Sequence, residues 1–181
     1  MIVVTGATGR LGQLVIDGLL QQVPPAQIVA AVRTPAKAGS LTARGVTVRA
    51  ADYNQPDQLR AAFTGADRVL LISSNDPRQS VAQHTAVIEA ARQAGAGLLA
   101  YTSLWHADTS ALLTAVPHRL TEPIIRDSGV RIRSSATTST PSITRLRSGR
   151  PPRRARSSAA PAPAVWPVPP GPTTPPRPSP S

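Results

Sequence analysis

Gly6, Gly9 and Gly12 stand three residues apart in Val4-Thr-Gly-Ala-Thr-Gly-Arg-Leu-Gly12, a spacing suited to holding a dinucleotide pyrophosphate. The short apolar run Ile2–Val4 precedes them. Leu11, Val15, Ile16, Leu19 and Leu20 follow at helical spacing within Arg10–Leu20. A glycine-rich turn between a strand and a helix needs each glycine for a different reason. Gly6 allows the tight turn, Gly9 lets backbone N–H groups approach phosphate oxygens, and Gly12 permits close packing of helix on strand. The positive N-terminal end of the helix then points at the phosphates.

Further candidates stand at the ends of later apolar runs. Arg33 follows Gln27–Val32, where such a fold reads the adenosine ribose. An acid there accepts from a 2′-hydroxyl, whereas an arginine favours a 2′-phosphate, so Arg33 with Lys37 points to NADP over NAD. Asp52 and Tyr53 follow Val46–Ala50 and are positioned to border the adenine. Ser73, Ser74 and Asn75 follow Arg68–Ile72, on the nicotinamide side. No Tyr-x-x-x-Lys proton-donor motif of a typical short-chain dehydrogenase is present, and Lys37 is the only lysine. Tyr101, at the end of Gly97–Tyr101, reads as a core residue. His106 and His118 are proton-donor candidates near neutral pH, read as exposed. No catalytic residue is assigned, since a nicotinamide cofactor brings its own chemistry.

The elements that must position these residues alternate. Apolar strands at residues 2–4, 27–32, 46–50, 68–72 and 97–101 are separated by helical patterns at 36–41, 56–63 and 80–94. A last helix starts at Ala111 or Pro117 and runs to Asp127. Continuous apolar strands between helices imply a parallel sheet covered on both faces. The expected fold is a Rossmann-like, doubly wound α/β sheet of about five strands, with ligand at the carboxyl ends of the strands.

Charge divides the chain. The formal net charge is +11, yet all nine acids lie at or before Asp127, which leaves residues 1–127 at +2. Residues 128–181 carry nine arginines, no acid and thirteen of the twenty prolines. Such a composition cannot bury enough surface to offset chain entropy, so residues 131–181 are expected to be a disordered, Pro- and Arg-rich tail behind a domain spanning 1–130. The chain has no cysteine, which excludes disulfides and thiolate zinc sites, and no metal site is expected. No apolar run approaches the ~18 residues of a membrane span and no signal segment is recognised, so a cytoplasmic domain without specific nucleic-acid or membrane partners is expected.

The stretches VTGATGRLGQLVIDGLL (4–20), IVAAVRTPAKA (28–38), VRAADYNQPDQLRAAFTGADRVLLISS (48–74) and AQHTAVIEAARQAGAGLLAYTSLWHADTS (82–110) resemble one family. A weaker match is HRLTEPIIRDSGV (118–130). The family is the atypical short-chain dehydrogenase/reductases of the NmrA-like branch, nearest the bacterial NAD(P)H:quinone oxidoreductases of type two. The resemblance implies hydride transfer from NADPH to a quinone. It also implies cofactor contacts from the loop Gly6, Ala7, Thr8, Gly9, Arg10 and Leu11, from Arg33, from Asp52 and Tyr53, and from Ser73 and Ser74, with substrate beyond Tyr101. Regulatory members of the branch hold NADP without turnover, which is the alternative reading.

In that family a strand, a motif like LRNxWYTEN and a cleft-closing domain follow the segment matching Ser128-Gly-Val130. The sequence here departs from the pattern after Val130. Ser135–Arg145, back-translated with permitted codons and read one base earlier, gives FRNNFYTEHYT. The same offset turns Gly171–Ser181 into RADYAAAAVAV. Two runs in one phase imply a single-nucleotide loss near Arg131. The expectation is therefore an off-frame tail, loss of the strand after Val130, and impaired quinone reduction by this chain.

Overall fold

A computed structural model of the chain describes residues 1–74, 76 and 78–137, with side chains through Ile132. Six parallel strands are present: β1 (Ile2–Thr5), β2 (Ile28–Val32), β3 (Thr47–Ala50), β4 (Arg68–Leu71), β5 (Leu98–Leu104) and β6 (Ile132–Thr137). Their order is β3-β2-β1-β4-β5-β6. Five helices connect them: α1 (Arg10–Leu20), α2 (Gly39–Thr42), α3 (Pro56–Phe63), α4 (Ser80–Gln93) and α5 (Val116–Asp127). The winding reverses beside β1, and this opens a crevice at the carboxyl ends of β1 and β4.

Strand alternation splits the core into two layers. Val3 of β1 packs in the same cluster as Leu59 and Phe63 of α3, Val87 and Ile88 of α4, and Ile125 of α5. Val4, one residue on, faces the opposite layer with Ile16 of α1 and Leu41 of α2. β2 is buried at all five positions, as a strand covered on both faces must be.

The five expected strands are present, and β5 runs three residues past its expected end. The pattern at 36–41 resolves into a 3-10 turn, Pro35–Ala38, followed by the single turn of α2.

The expected loss of a strand after Val130 is corrected. β6 pairs with β5 from Leu99↔Ile132 to Leu104↔Thr137, and Ile132 packs against the larger core cluster. Strand pairing uses backbone N–H and C=O groups, so a polar Ser- and Thr-rich stretch can satisfy the edge of β5 without a family-like sequence. The expected tail over residues 138–181 lies outside the described residues, as does Asn75.

Candidate cofactor site

The glycine loop joins β1 to α1. Gly6 adopts φ +59°, the left-handed conformation that glycine takes without strain. Its carbonyl accepts from the Gly9 N–H at 3.0 Å. Gly9 is the N-cap of α1, and the first helical bond runs from the Gln13 N–H to the Gly9 carbonyl. The N–H groups of Arg10, Leu11 and Gly12 are therefore left for a ligand. The Gly9 N–H is not among them, because it closes the turn onto the Gly6 carbonyl.

Gly12 is where packing is tightest. A Cβ there would fall onto the Gly6 carbonyl oxygen and stand 2.6 Å from the Ala7 Cα. Helix α1 thus presses on the glycine loop itself rather than on the strand. Ala7 is buried, Thr8 half-buried, and Gly9, Arg10 and Leu11 are exposed at the crevice. No acid stands in the first turn of α1, so nothing opposes the positive field of its N-terminus.

Arg33 leaves β2 on the strand next to the loop, where Thr5 pairs with Ala31. Arg33 and Lys37 are exposed, and neither forms an ion pair among the described residues. Asp52 follows β3, and its carboxylate accepts from the Asn54 N–H at 2.9 Å.

Tyr53 is drawn inward. Its hydroxyl lies 2.5 Å from Thr5 Oγ1 and 3.0 Å from the Ile72 carbonyl, and the Ile72 N–H donates to Thr5 Oγ1 at 3.0 Å. Burial pushes the Tyr53 phenol up to about 12, against a lowering hydrogen bond from Thr5. This clasp backs the glycine loop by tying the ends of β1 and β4 to the segment after β3. The Tyr53 hydroxyl is committed to it.

Beyond β4, the Ser73 N–H donates to Thr102 Oγ1 at 2.8 Å, and the Thr102 hydroxyl donates to Ser73 Oγ at 3.2 Å. A cleft of about 260 Å³ opens here, lined by Leu11, Ile72, Ser73, Thr102, Ser103, Leu104 and His118. It joins the N-terminal end of α1 to the carboxyl ends of β4 and β5. Ser73 lines it, whereas the Ser74 N–H turns inward and donates to His84 Nε2 at 2.8 Å.

His118 is half-buried in this cleft, which corrects its expected exposure, while His106 is exposed in the turn after β5. Its Nδ1 meets the Tyr101 hydroxyl at 2.6 Å. Tyr101 is fully buried, as expected, and burial raises its phenol above the usual range. Burial lowers His118, with the Glu122 charge opposing. Glu122 in turn accepts from the Ser103 hydroxyl at 2.5 Å.

Thr102 and Ser103 line the cleft, in line with the expected substrate side beyond Tyr101. Sequence reasoning missed His84, Thr121 and Glu122, although a signal existed for the first two. His84 sits on the buried stripe of α4 with Ser80, Val87, Ile88 and Ala91, and Thr121 shares the buried side of α5 with Ile125. A polar residue on an apolar helix face must find a partner.

A profile of NAD(P)H-binding domains matches residues 6–134. Quinone oxidoreductase 2 of Escherichia coli strain K12 is 52% identical over 130 residues, covering 72% of this chain and 46% of that protein. An NmrA-like family domain-containing oxidoreductase of Aspergillus flavus is 32% identical over 134 residues, 70% of this chain and 44% of the relative. The crystal structure of the E. coli NADPH-dependent quinone oxidoreductase in complex with NADPH superposes with TM-score 0.72 at 51% identity, covering 74% of this chain and 47% of that one. The chain spans about half the length of these relatives. With the glycine loop, the strand order and the open helix end in place, the chain belongs to the NAD(P)H-binding family.

Proposed function

We propose that the chain binds NADPH across the carboxyl ends of its strands and serves hydride transfer to a quinone in the cytoplasm. The observation that carries this reading is the open set of N–H groups at Arg10, Leu11 and Gly12, beside a cleft bounded by β4, β5 and α5. NADPH supplies the hydride when bound. The residues do the rest: the loop Gly6–Gly12 holds the pyrophosphate, Arg33 and Lys37 neutralise the 2′-phosphate, and Asp52 borders the adenosine. Tyr53 holds the loop from behind. Ser73 lines the nicotinamide side, while Ser74 contributes through its backbone N–H.

Arg33 is the discriminating residue. A guanidinium makes charge-assisted bonds to a phosphate dianion that a hydroxyl cannot match, worth ~1.5–3 kcal/mol. NADPH should therefore bind at least about tenfold tighter than NADH, and Arg33→Ala should erase most of that difference by weakening NADPH alone. Calorimetric titration of both cofactors tests it. Equal affinities before the change, or equal weakening after it, would remove Arg33 from the site.

We infer in addition that a frameshift separates the sequence after about Arg131 from that of its relatives. The family match ends at residue 134, close to the inferred point. Nucleotide sequence across codons 128–136, translated in all three frames, decides it. A parent gene that keeps this frame throughout would overturn it.

A further inference from the structure

The hydrogen bonds behind the cleft have a direction. The Ser74 backbone amide can only donate, and it donates to His84 Nε2. His84 is completely buried and neutral, so its proton sits on Nδ1. That nitrogen lies 2.9 Å from Thr121 Oγ1, which must accept. Tyr101 is fully buried and neutral, and its single proton goes to its one hydrogen-bond partner among the described residues, His118 Nδ1, at 2.6 Å. A neutral His118 is left with Nδ1 as acceptor and Nε2 as donor. Among the described residues Nε2 has no partner, and His118 lines the cleft.

We infer that His118 presents a fixed Nε2–H donor to the oxygen of the hydride acceptor, locked in that tautomer by the buried Tyr101 phenol, whose proton its Nδ1 must accept. The acceptor role rests on the quinone reading above. When hydride adds to a quinone, one carbonyl oxygen takes up negative charge, and a donor already aimed at that oxygen stabilises it without reorganising. A neutral imidazole suffices, because polarising the oxygen needs a hydrogen bond and not a full charge. The hydroquinone is completed by one proton from solvent, balancing NADPH, quinone and proton against NADP⁺ and hydroquinone. Tyr101 is a positioning residue.

The charged and titratable neighbours fit this arrangement. Tyr101 of β5 and His84 of α4 face His118 from the core, and Glu122 stands one turn along α5 with its carboxylate engaged by Ser103. The rings of His84 and Tyr101 meet edge-on with centroids 5.5 Å apart, which holds the Tyr101 ring in place by packing.

The chain has three histidines, so ¹⁵N imidazole spectra of the intact 181-residue protein can be assigned by single substitutions. His118 should show Nε2–H and His84 Nδ1–H, with exposed His106 averaging both forms as an internal control. Tyr101→Phe should release His118 into a mixture while the backbone spectrum stays folded. An Nδ1–H form at His118, or a tautomer indifferent to Tyr101→Phe, overturns the inference.

The second arm adds NADP⁺ and 2,3-dimethoxy-5-methyl-1,4-benzoquinone, which meets no thiol in this cysteine-free chain. The quinone should shift the His118 Nε2 resonance, and His118→Phe should weaken its binding by about two- to tenfold, the range of one hydrogen bond. Quinone binding unchanged by His118→Phe overturns the donor role. A chain that binds NADP⁺ but gives no quinone response overturns the quinone reading, and the ligand-free tautomer still decides whether Tyr101 locks His118.

Discussion

Buried on the inner face of α4, His84 titrates against its surroundings. Burial, with the charge of His118 as a smaller cause, pushes it down to about 4 from an ordinary 6.5. Between those values the unfolded chain binds a proton that the folded chain refuses, so stability falls as pH drops through the window. The contribution is complete above about pH 6.5, and at ~1.4 kcal/mol per unit its ceiling is roughly 3 kcal/mol. His84→Gln can accept from Ser74 and donate to Thr121 without titrating. Urea denaturation between pH 7.5 and 4.5 should show wild type losing at least about 1 kcal/mol more than this variant; parallel losses would mean that His84 is not the sensitive group. The buried stripe of α4 signals that His84 needs a partner, but neither that partner nor the titration is legible in Ala82-Gln-His-Thr85. Arg33 and the glycines could be read because backbone conformation and a strand end dictate their types. A buried polar relay becomes visible only when α4, α5 and β5 are brought together.

At the scale of the element, α1 carries two glycines with opposite expectations. Gly12 has no room: a Cβ there meets backbone of the loop, which cannot yield without moving the phosphate donors. Gly18, on the same helix, has nothing within 4 Å of its Cβ position. Gly12→Ala should cost ~1–3 kcal/mol by overpacking and abolish NADPH binding at micromolar cofactor. Gly18→Ala should add ~0.5–1 kcal/mol through helix propensity and leave binding unchanged. Denaturation curves and cofactor titrations on both variants check the pair. Element type was readable wherever burial forced an apolar run, as in β2 and β4, and wherever a proline marked a start, as at Pro56. The end of β5, Thr102-Ser-Leu104, was not, because its side chains serve the cleft. β6 escaped because its pairing is made by backbone, which sequence pattern does not record.

At the scale of the molecule, the matched region is about half of what its relatives possess. Trp105, Leu112, Leu113 and Leu120 are exposed along the β5–α5 connection and the first turns of α5. A cleft of about 260 Å³ that is not enclosed orients an acceptor weakly and leaves it in contact with water. The 181-residue protein should therefore bind NADPH yet oxidise it at least about tenfold more slowly with quinone than a frame-restored protein does, the factor that corresponds to ~1.4 kcal/mol of barrier. Following NADPH absorbance with both proteins at equal concentration measures this. Comparable turnover would show that residues 1–137 already contain a sufficient acceptor site. A frame-restored protein that binds NADPH without turnover would instead favour the regulatory alternative.

The clasp of Tyr53, Thr5 and Ile72 bears on timing. The glycine loop is made before the segment that backs it: β1 lies between β2 and β4, and the loop has no backing until Ile72 has been made and has closed onto Thr5. The motif is thus synthesised well before it becomes competent. A ligand whose site forms after the folding barrier can hold the native state back from unfolding without hastening its arrival. In stopped-flow experiments, saturating NADPH should slow unfolding while the refolding rate stays as it is without cofactor.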